Sequence, residues 1–225
     1  MLQFLAKYKF FAVVMLLLSA IILYLMYQVL KPQPTLPIYQ PSMVNPELVD
    51  EDIQHVRKFH TIADFSLINQ YGDTVTQKNY EDKIYIADFF FTTCPTICPI
   101  MTDNMVKLQQ ALRENDQIMF LSHSVTPEMD SVPVLKKYAD AKGVDGRNWN
   151  LVTGDRIQIY DLARKSYLVA QEDPDGDNYS MIHTENFVLV DKEKRIRGFY
   201  DGTDWEDMER LLQDIVVLID SEKVN

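Results

Sequence analysis

Hydrophobic positions divide the chain into one long apolar segment followed by shorter segments of varying period. Residues Phe10 to Leu30 contain no charged side chain. At about 1.5 Å per residue they would span a hydrocarbon core of about 30 Å. The pattern predicts a transmembrane anchor over residues 10–30. A cleaved signal peptide is the alternative, but the apolar segment is longer than an h-region and no small-x-small cleavage site follows it.

The flanking charges predict the orientation of this anchor. Lys7 and Lys9 precede it and only Lys31 touches its far end, so the positive-inside rule places residues 1–9 in the cytoplasm and the rest of the chain outside. The first arginine is Arg57, which is unlike an Arg-rich, Ser-rich organellar presequence. We therefore expect a bacterial inner membrane protein with its C-terminal domain on the periplasmic side.

Prolines mark the segment that follows the anchor. Five of the ten prolines fall between residues 32 and 46, where no apolar periodicity is present. Such a composition is typical of a semi-rigid spacer. The pattern predicts a Pro-rich linker over residues 31–55 and a folded domain over residues 56–225, with its first element between Val56 and Phe65.

Within the predicted domain the hydrophobic period alternates between that of strands and that of helices. A hairpin is predicted around Tyr71-Gly72-Asp73, a buried strand over Ile84 to Phe91, and a helix over Pro99 to Arg113. Further strands are predicted at residues 117–125, 149–152, 187–191 and 196–201, and further helices at 130–141, 156–165 and 205–218. This order predicts an α/β domain of thioredoxin type, with three layers around a central mixed sheet.

Charge narrows the choice of partners. The formal net charge is −11, and residues 1–31 carry three lysines and no acid, which leaves −14 on the remainder. A domain with this charge is a poor match for a polyanion, so we expect no nucleic-acid partner.

The only two cysteines, Cys94 and Cys98, stand four apart where the buried strand gives way to a helix. They could close a disulfide or hold one soft metal ion. If Pro99 opens the helix, Cys98 lies at its N-cap, where free N–H groups and the helix dipole would lower the pKa of its thiol. A purely structural disulfide is less favoured, because a bridge enclosing three residues constrains the unfolded chain little.

Four segments of the chain together resemble the Sco/SenC family. They are the sequence FTTCPTICP, the segment Ser124 to Asp130, the isolated His183 before a strand, and the segment Arg197 to Asp204. The resemblance covers about residues 61–220. The family resembles thioredoxins but carries Cys-x-x-x-Cys-Pro in place of Cys-x-x-Cys.

The resemblance implies a membrane-tethered copper chaperone, a metal carrier rather than an enzyme. Such a protein helps to assemble the binuclear copper centre in subunit II of cytochrome c oxidase or of a related copper enzyme. By the same resemblance, Cys94 and Cys98 match the two thiolate ligands and His183 matches the imidazole ligand. Thiolates favour Cu(I), and an added imidazole suits Cu(II) as well.

Other candidate ligands are weaker. His55 and His60 are interpreted as solvated or packed, and His123 as an ordinary strand residue. The acids of the loop before His183, namely Glu172, Asp173, Asp175 and Asp177, lack the calcium-loop pattern and are interpreted as solvated. Met181 is a possible auxiliary thioether. Ile182 and Thr126 stand where family members often have an acid, which alters the support around the predicted site.

Asp88 favours a second function. It stands six residues before Cys94 in an apolar strand, as a buried acid does in thioredoxins, and a buried carboxyl of raised pKa could accept a proton from a thiol. The alternative is a structural, hydrogen-bonded acid. The competing hypotheses are thus a thiol-disulfide oxidoreductase that reduces the cysteines of the copper-accepting partner, and a purely structural tether.

Overall fold

A computed structural model describes residues 2–31, 34–170 and 185–222 of the chain. The chain separates into two units, residues 1–35 and residues 36–225. The first unit contains helix α1 (Leu2–Leu30), of which Tyr8–Gln28 has a mean hydropathy of 2.6 and no buried residues. By length and composition this helix can cross a membrane, in agreement with the segment predicted at residues 10–30.

A seven-stranded mixed sheet forms the centre of the second unit. Its strands, in chain order, are β1 (Ser66–Asn69), β2 (Thr74–Thr76), β3 (Ile84–Phe90), β4 (Ile118–Ser124), β5 (Trp149–Thr153), β6 (Asn186–Val190) and β7 (Ile196–Asp201). Their spatial order is β2-β1-β5-β4-β3-β6-β7. Strands β3, β4 and β5 are parallel, and the other pairings are antiparallel.

Helices cover both faces of this sheet. They are α2 (Ile97–Ala111), α3 (Val132–Lys142), α4 (Arg156–Asp161) and α5 (Trp205–Glu222). Apolar side chains of α2, α3 and α5 form one core cluster with one face of β3, and those of α4 form a second cluster with the other face. The predicted three-layer, thioredoxin-like α/β domain is therefore confirmed.

Strand β3 lies between β4 and β6, and all seven of its residues are buried. Ile84 and Ile86 face the cluster that contains α2, whereas Tyr85, Ala87 and Phe89 face the opposite cluster. A strand covered on both faces needs apolar residues at every position rather than alternate ones. This explains why its sequence is a nearly continuous apolar run.

The helix predicted at residues 156–165 is interrupted. Asp155 caps α4 by accepting a hydrogen bond from the Gln158 N–H, but α4 ends at Asp161 and a π-helical turn covers Leu162–Ser166. The widened turn brings Tyr167 into the core, where its ring lies 5.5 Å from that of Phe89. Hydrophobic periodicity did not predict this turn, because periodicity along one segment does not show contacts with distant residues such as Phe89.

Part of the predicted linker packs on the domain. From Leu36 onward the chain belongs to the same compact unit as the sheet. The Tyr39 N–H donates to the Ile196 carbonyl of strand β7 at 2.9 Å, and its ring meets Phe199 edge-on at 5.1 Å. The segment therefore covers the exposed edge of the sheet, which limits the strand pairing that an open edge invites.

Arg197 connects this segment to the core. Its guanidinium is 8 % exposed and donates to the carbonyls of Leu36 at 2.7 Å and Pro37 at 2.9 Å. It also pairs with the buried carboxylate of Asp191 at 2.9 Å, which Arg195 shares. A buried charge with several partners is costly to disrupt.

We predict that Arg197→Met lowers the free energy of unfolding of the second unit by about 3 kcal/mol, because it leaves two carbonyls and part of the Asp191 carboxylate unpaired. Urea unfolding of the full chain in detergent micelles measures the change. Limited proteolysis should cut residues 36–56 faster in this variant. Arg113→Met is the control, since the pair of Arg113 with Glu114 is exposed; an equal effect of both substitutions would contradict the prediction.

Candidate metal centre

The two cysteines lie just beyond the carboxyl end of β3. The chain turns through residues 91–94, where the Cys94 N–H donates to the Phe91 carbonyl at 3.3 Å. Helix α2 then begins at Ile97 with Thr96 as its N-cap. Cys98 is therefore the second residue of the helix, and the prediction that it is the N-cap is wrong. Because the first-turn N–H groups have no partner within the helix, proline fits at several first-turn positions and Pro99 did not mark its start.

The two cysteines are in direct contact. The backbone N–H of Cys98 donates to Cys94 Sγ at 3.4 Å, and Thr96 Oγ1 lies 3.9 Å from the same sulfur. Both cysteines are unbridged, with 8 % of Cys94 and 3 % of Cys98 exposed. The start of α2 thus folds around the Cys94 sulfur, and Cys98 lies deeper in the domain.

The pKa values of the two thiols shift in opposite directions. Burial alone would raise the pKa of Cys94, but hydrogen bonds from the backbone N–H groups of Cys98 and Thr96 outweigh it and hold that pKa below its usual value. Burial raises the pKa of Cys98 to about 12, and the neighbouring Cys94 and Asp88 act in the same direction. The low thiol pKa predicted for Cys98 is thus wrong, and Cys94 has it instead.

Asp88 lies in β3, on the same face of the sheet as the cysteines. It is 2 % exposed, and its Oδ1 has no hydrogen-bond partner among the described residues. Burial raises its pKa to about 7, against the effect of a hydrogen bond from Ser122 on the neighbouring strand. The Trp149 Nε1–H donates to Ser122 Oγ at 2.9 Å and orients that hydroxyl. Asp88 is therefore a buried acid near Cys98, as the sequence predicted.

His123 lies on the opposite face of the sheet. It is fully buried in β4 and stacks on Phe89 with 4.7 Å between ring centroids. Its Nδ1 is 3.3 Å from the Asp88 carbonyl, and burial lowers its pKa to about 4. His60 is packed as well, with Nε2 2.8 Å from the Ser166 carbonyl. His55 is exposed. These positions agree with the interpretation of His55 and His60 as solvated or packed and of His123 as an ordinary strand residue.

The structure brings together two of the three predicted ligands. His183 lies outside the described residues, as do Met181, Ile182 and the four acids of the preceding loop. Within residues 2–31, 34–170 and 185–222, no group of three or more His, Cys, Asp or Glu side chains could hold a metal ion. The described part of the site is thus a pair of thiols.

Comparison with known proteins identifies the family. The SCO1/SenC family model matches residues 53–220. The chain belongs to the SCO1/SenC family. It is 32 % identical over 158 residues to the SCO1 protein homolog of Bacillus subtilis, a match that covers 69 % of this chain and 81 % of the relative.

Solved structures of SCO1/SenC proteins share the fold of the second unit. BsSco is a member of the Sco family of cytochrome c oxidase assembly proteins in which a disulfide switch has been identified, and it is 31 % identical to this chain. It superposes with a TM-score of 0.61 over 71 % of this chain and 94 % of its own. Copper-bound ScoI of Bradyrhizobium japonicum is 27 % identical, with a TM-score of 0.55 over 69 % of this chain and 99 % of its own.

Sequence reasoning missed one residue of this SCO1/SenC site. Asp130 follows β4, is fully buried, and accepts hydrogen bonds from the side chain and the backbone of Thr92 in the turn before Cys94. In the sequence, the segment Ser124 to Asp130 indicated only the resemblance to the family. A usable signal was present, because acid and hydroxyl side chains follow the carboxyl ends of two parallel strands, where ligand sites of α/β sheets form.

Asp88 and His123 should have opposite effects on stability across the same pH range. The pKa of Asp88 is higher in the folded state (about 7) than its ordinary value of 3.8, so its ionisation destabilises the fold as pH rises from 4 toward 7. The pKa of His123 is lower (about 4) than its ordinary 6.5, so its protonation destabilises the fold as pH falls through that range. Each effect amounts to about 3 kcal/mol and the two nearly cancel.

We predict that the free energy of unfolding of His123→Phe falls as pH rises from 4 to 6.5, whereas that of Asp88→Asn rises. The unsubstituted chain should change little over this range. Urea titrations of the full chain in micelles, followed by tryptophan fluorescence at several pH values, measure the three slopes. Slopes of the same sign in the two variants would contradict the assignment.

Proposed function

We propose that this chain is a membrane-anchored copper chaperone. It binds one copper ion through the thiolates of Cys94 and Cys98 and the imidazole of His183. It then delivers the ion to the binuclear copper centre in subunit II of cytochrome c oxidase, or to a related copper enzyme. The observation that carries the proposal is the pair of unbridged, hydrogen-bonded cysteines just after β3 in a SCO1/SenC chain.

The chemistry of the two thiols suits a copper cargo. Thiolates are soft ligands that select Cu(I) over harder divalent ions, and an imidazole extends the set to Cu(II). Cys94 has the lowered pKa and is the more exposed of the two thiols, at 8 % against 3 % for Cys98. It is therefore the first ligand to meet an incoming ion. Cys98 exchanges its proton for the metal afterwards, so copper binding releases protons and strengthens as pH rises.

Relatives and the first helix support the rest of the proposal. The copper-bound structure of ScoI indicates the cargo, and the membership of BsSco among cytochrome c oxidase assembly proteins indicates the pathway. Helix α1 is suited to anchor the domain at the membrane in which the oxidase resides. We place the chain in a bacterial inner membrane with residues 1–9 in the cytoplasm and the domain on the periplasmic side.

Competition for Cu(I) against a chromophoric chelator tests the ligand set on the full chain in micelles. We expect one Cu(I) per chain, and at least about a tenfold weaker affinity in His183→Ala, because one ligand is removed. In the Cu(II) form, the sulfur-to-copper absorption should shift in the same variant. His55→Ala is the matched control and should leave both measurements unchanged.

The proposal is wrong if the chain takes up no copper. The predicted ligand set is wrong if His183→Ala matches the unsubstituted chain in affinity and spectrum. Copper release to the soluble domain of an oxidase subunit II, followed by its own absorption bands, tests the delivery step separately.

The unequal pKa values of the two thiols support a second function, a thiol-disulfide oxidoreductase that reduces the cysteines of the copper-accepting partner. The Cys94 thiolate would attack the partner disulfide and release one partner thiol. Cys98 would then lose its proton toward Asp88 and displace the second, which leaves a Cys94–Cys98 disulfide and a reduced partner. The disulfide switch identified in BsSco is consistent with this chemistry.

Reduction of a disulfide-bonded peptide in copper-free buffer distinguishes the two functions. If the chain is a reductase, Cys94→Ser abolishes the reaction, Asp88→Asn slows the step that releases the peptide, and His183→Ala has no effect. A chain that reduces the peptide no faster than Cys94→Ser has no such activity.

A further inference from the structure

A buried carboxylate lies behind the turn that carries Cys94. Asp130 is 0 % exposed, and it comes from the loop between β4 and α3 rather than from the cysteine segment itself. Thr92 Oγ1 donates to its Oδ1 at 2.5 Å, and the Thr92 N–H donates to its Oδ2 at 3.2 Å. Ser124 Oγ donates to the same Oδ2 at 2.6 Å.

These contacts connect three segments through one side chain. Strands β3 and β4 pair in parallel up to Phe90 and Ser124, and the Val125 N–H extends the ladder by donating to the Phe90 carbonyl at 2.9 Å. Beyond this point the segments that follow the two strands diverge, and the described structure shows no further ladder bond between them. Asp130 replaces the ladder there, since it bonds to the end of one strand and to the turn after the other.

Thr92 is an interior residue of the turn that delivers Cys94. The turn is closed by the Cys94 N–H donating to the Phe91 carbonyl at 3.3 Å. Asp130 bonds to both the N–H and the hydroxyl of Thr92, so it restrains the orientation of that peptide as well as its position. A carboxylate that accepts two hydrogen bonds from one residue fixes both the position and the orientation of that residue. We call this pair of hydrogen bonds the clamp.

The partners of Asp130 among the described residues are hydroxyls and an amide. Thr126 Oγ1 is the fourth donor, at 3.1 Å from Oδ2. All four donors therefore converge on this one buried side chain.

We propose that Asp130 is the positioning residue for Cys94: through Thr92 it holds the Cys94 sulfur in line with the backbone N–H of Cys98. The inference deepens the proposed copper site, because the same sulfur is its first ligand, but it concerns the metal-free protein and can be tested without copper. It predicts that Thr92 and Asp130 act as one unit.

Loss of the Asp130–Thr92 hydrogen bonds should change the reactivity of Cys94. The N–H of Cys98 lies 3.4 Å from Cys94 Sγ, an ordinary length for a hydrogen bond to sulfur. The bond is directional, so a turn that no longer holds the sulfur in place weakens it. The thiolate then loses a donor, and its formation requires a higher pH.

The test measures how fast iodoacetamide alkylates Cys94 as a function of pH. It uses the full chain in micelles with Cys98→Ser, so that Cys94 is the only thiol and the backbone N–H at position 98 remains. We expect Asp130→Asn to move the midpoint of the rate profile upward by about half a pH unit or more. Thr92→Val should move it in the same direction, and Thr92→Ser, which keeps the hydroxyl, should not.

Asp191→Asn is the matched control, because Asp191 is a second buried carboxylate with several hydrogen bonds, located after β6 and bound to Arg195 and Arg197. It should lower the thermal stability without moving the midpoint. If it does not fold, Arg197→Met replaces it. If Asp130→Asn does not fold, the two Thr92 variants decide the question.

The proposal is overturned if folded Asp130→Asn and Thr92→Val keep the midpoint of the parent, or if the control moves it equally. Cu(I) competition on the two-cysteine chain separates this outcome from the proposed function. A parent that binds no Cu(I) refutes the chaperone, while the alkylation profiles still decide the role of Asp130.

Discussion

Parallel pairing of β3 with β4 fixes where the groups of the site can lie. The two strands stay in register over seven residue pairs, from Ile84 with Ile118 to Phe90 with Ser124. They therefore end at the same edge of the sheet, and the segments that follow them must diverge within a few residues. Cys94 follows β3, and Asp130 follows β4. The cysteine turn and its clamp are both consequences of this shared edge.

The two thiols differ in pKa because burial is offset by hydrogen bonds at one of them and not at the other. Cys98 and Asp88 are both removed from water near one another, and both have raised pKa values. Cys94 lies nearer the surface and receives backbone N–H groups from the start of α2. One thiol is therefore easily ionised and the other holds its proton. Stepwise capture of a soft metal ion and stepwise disulfide exchange both need this order of ionisation.

Polar groups outside the site follow the same rule that buried charge needs several partners. Asp191 receives two arginines, and one of these, Arg197, holds the carbonyls of Leu36 and Pro37 against the domain. The chain is thus part of the folded unit from Leu36 onward. Residues 36–55 of the proline-rich segment therefore belong to this unit.

Local sequence was enough to predict the apolar N-terminal helix, the order of strands and helices, the thiol pair and the family. Each of these depends on local composition or on a contiguous motif, such as the apolar run of β3 or Cys94-Pro-Thr-Ile-Cys98. Local sequence also predicted that Asp88 would be a buried acid. Asp88 lies in the same apolar strand segment that leads to Cys94, six residues further on.

Three features came from the packing of distant segments: which thiol has the lowered pKa, the meeting of Asp130 with Thr92, and the cover that the segment after Leu36 gives to the edge of β7. Their energies come from desolvation and hydrogen bonds that exist only after the sheet has formed. Hydrophobic periodicity shows which face of an element is buried. It does not show which polar group on another element will lie beside it, since that depends on strand order and register.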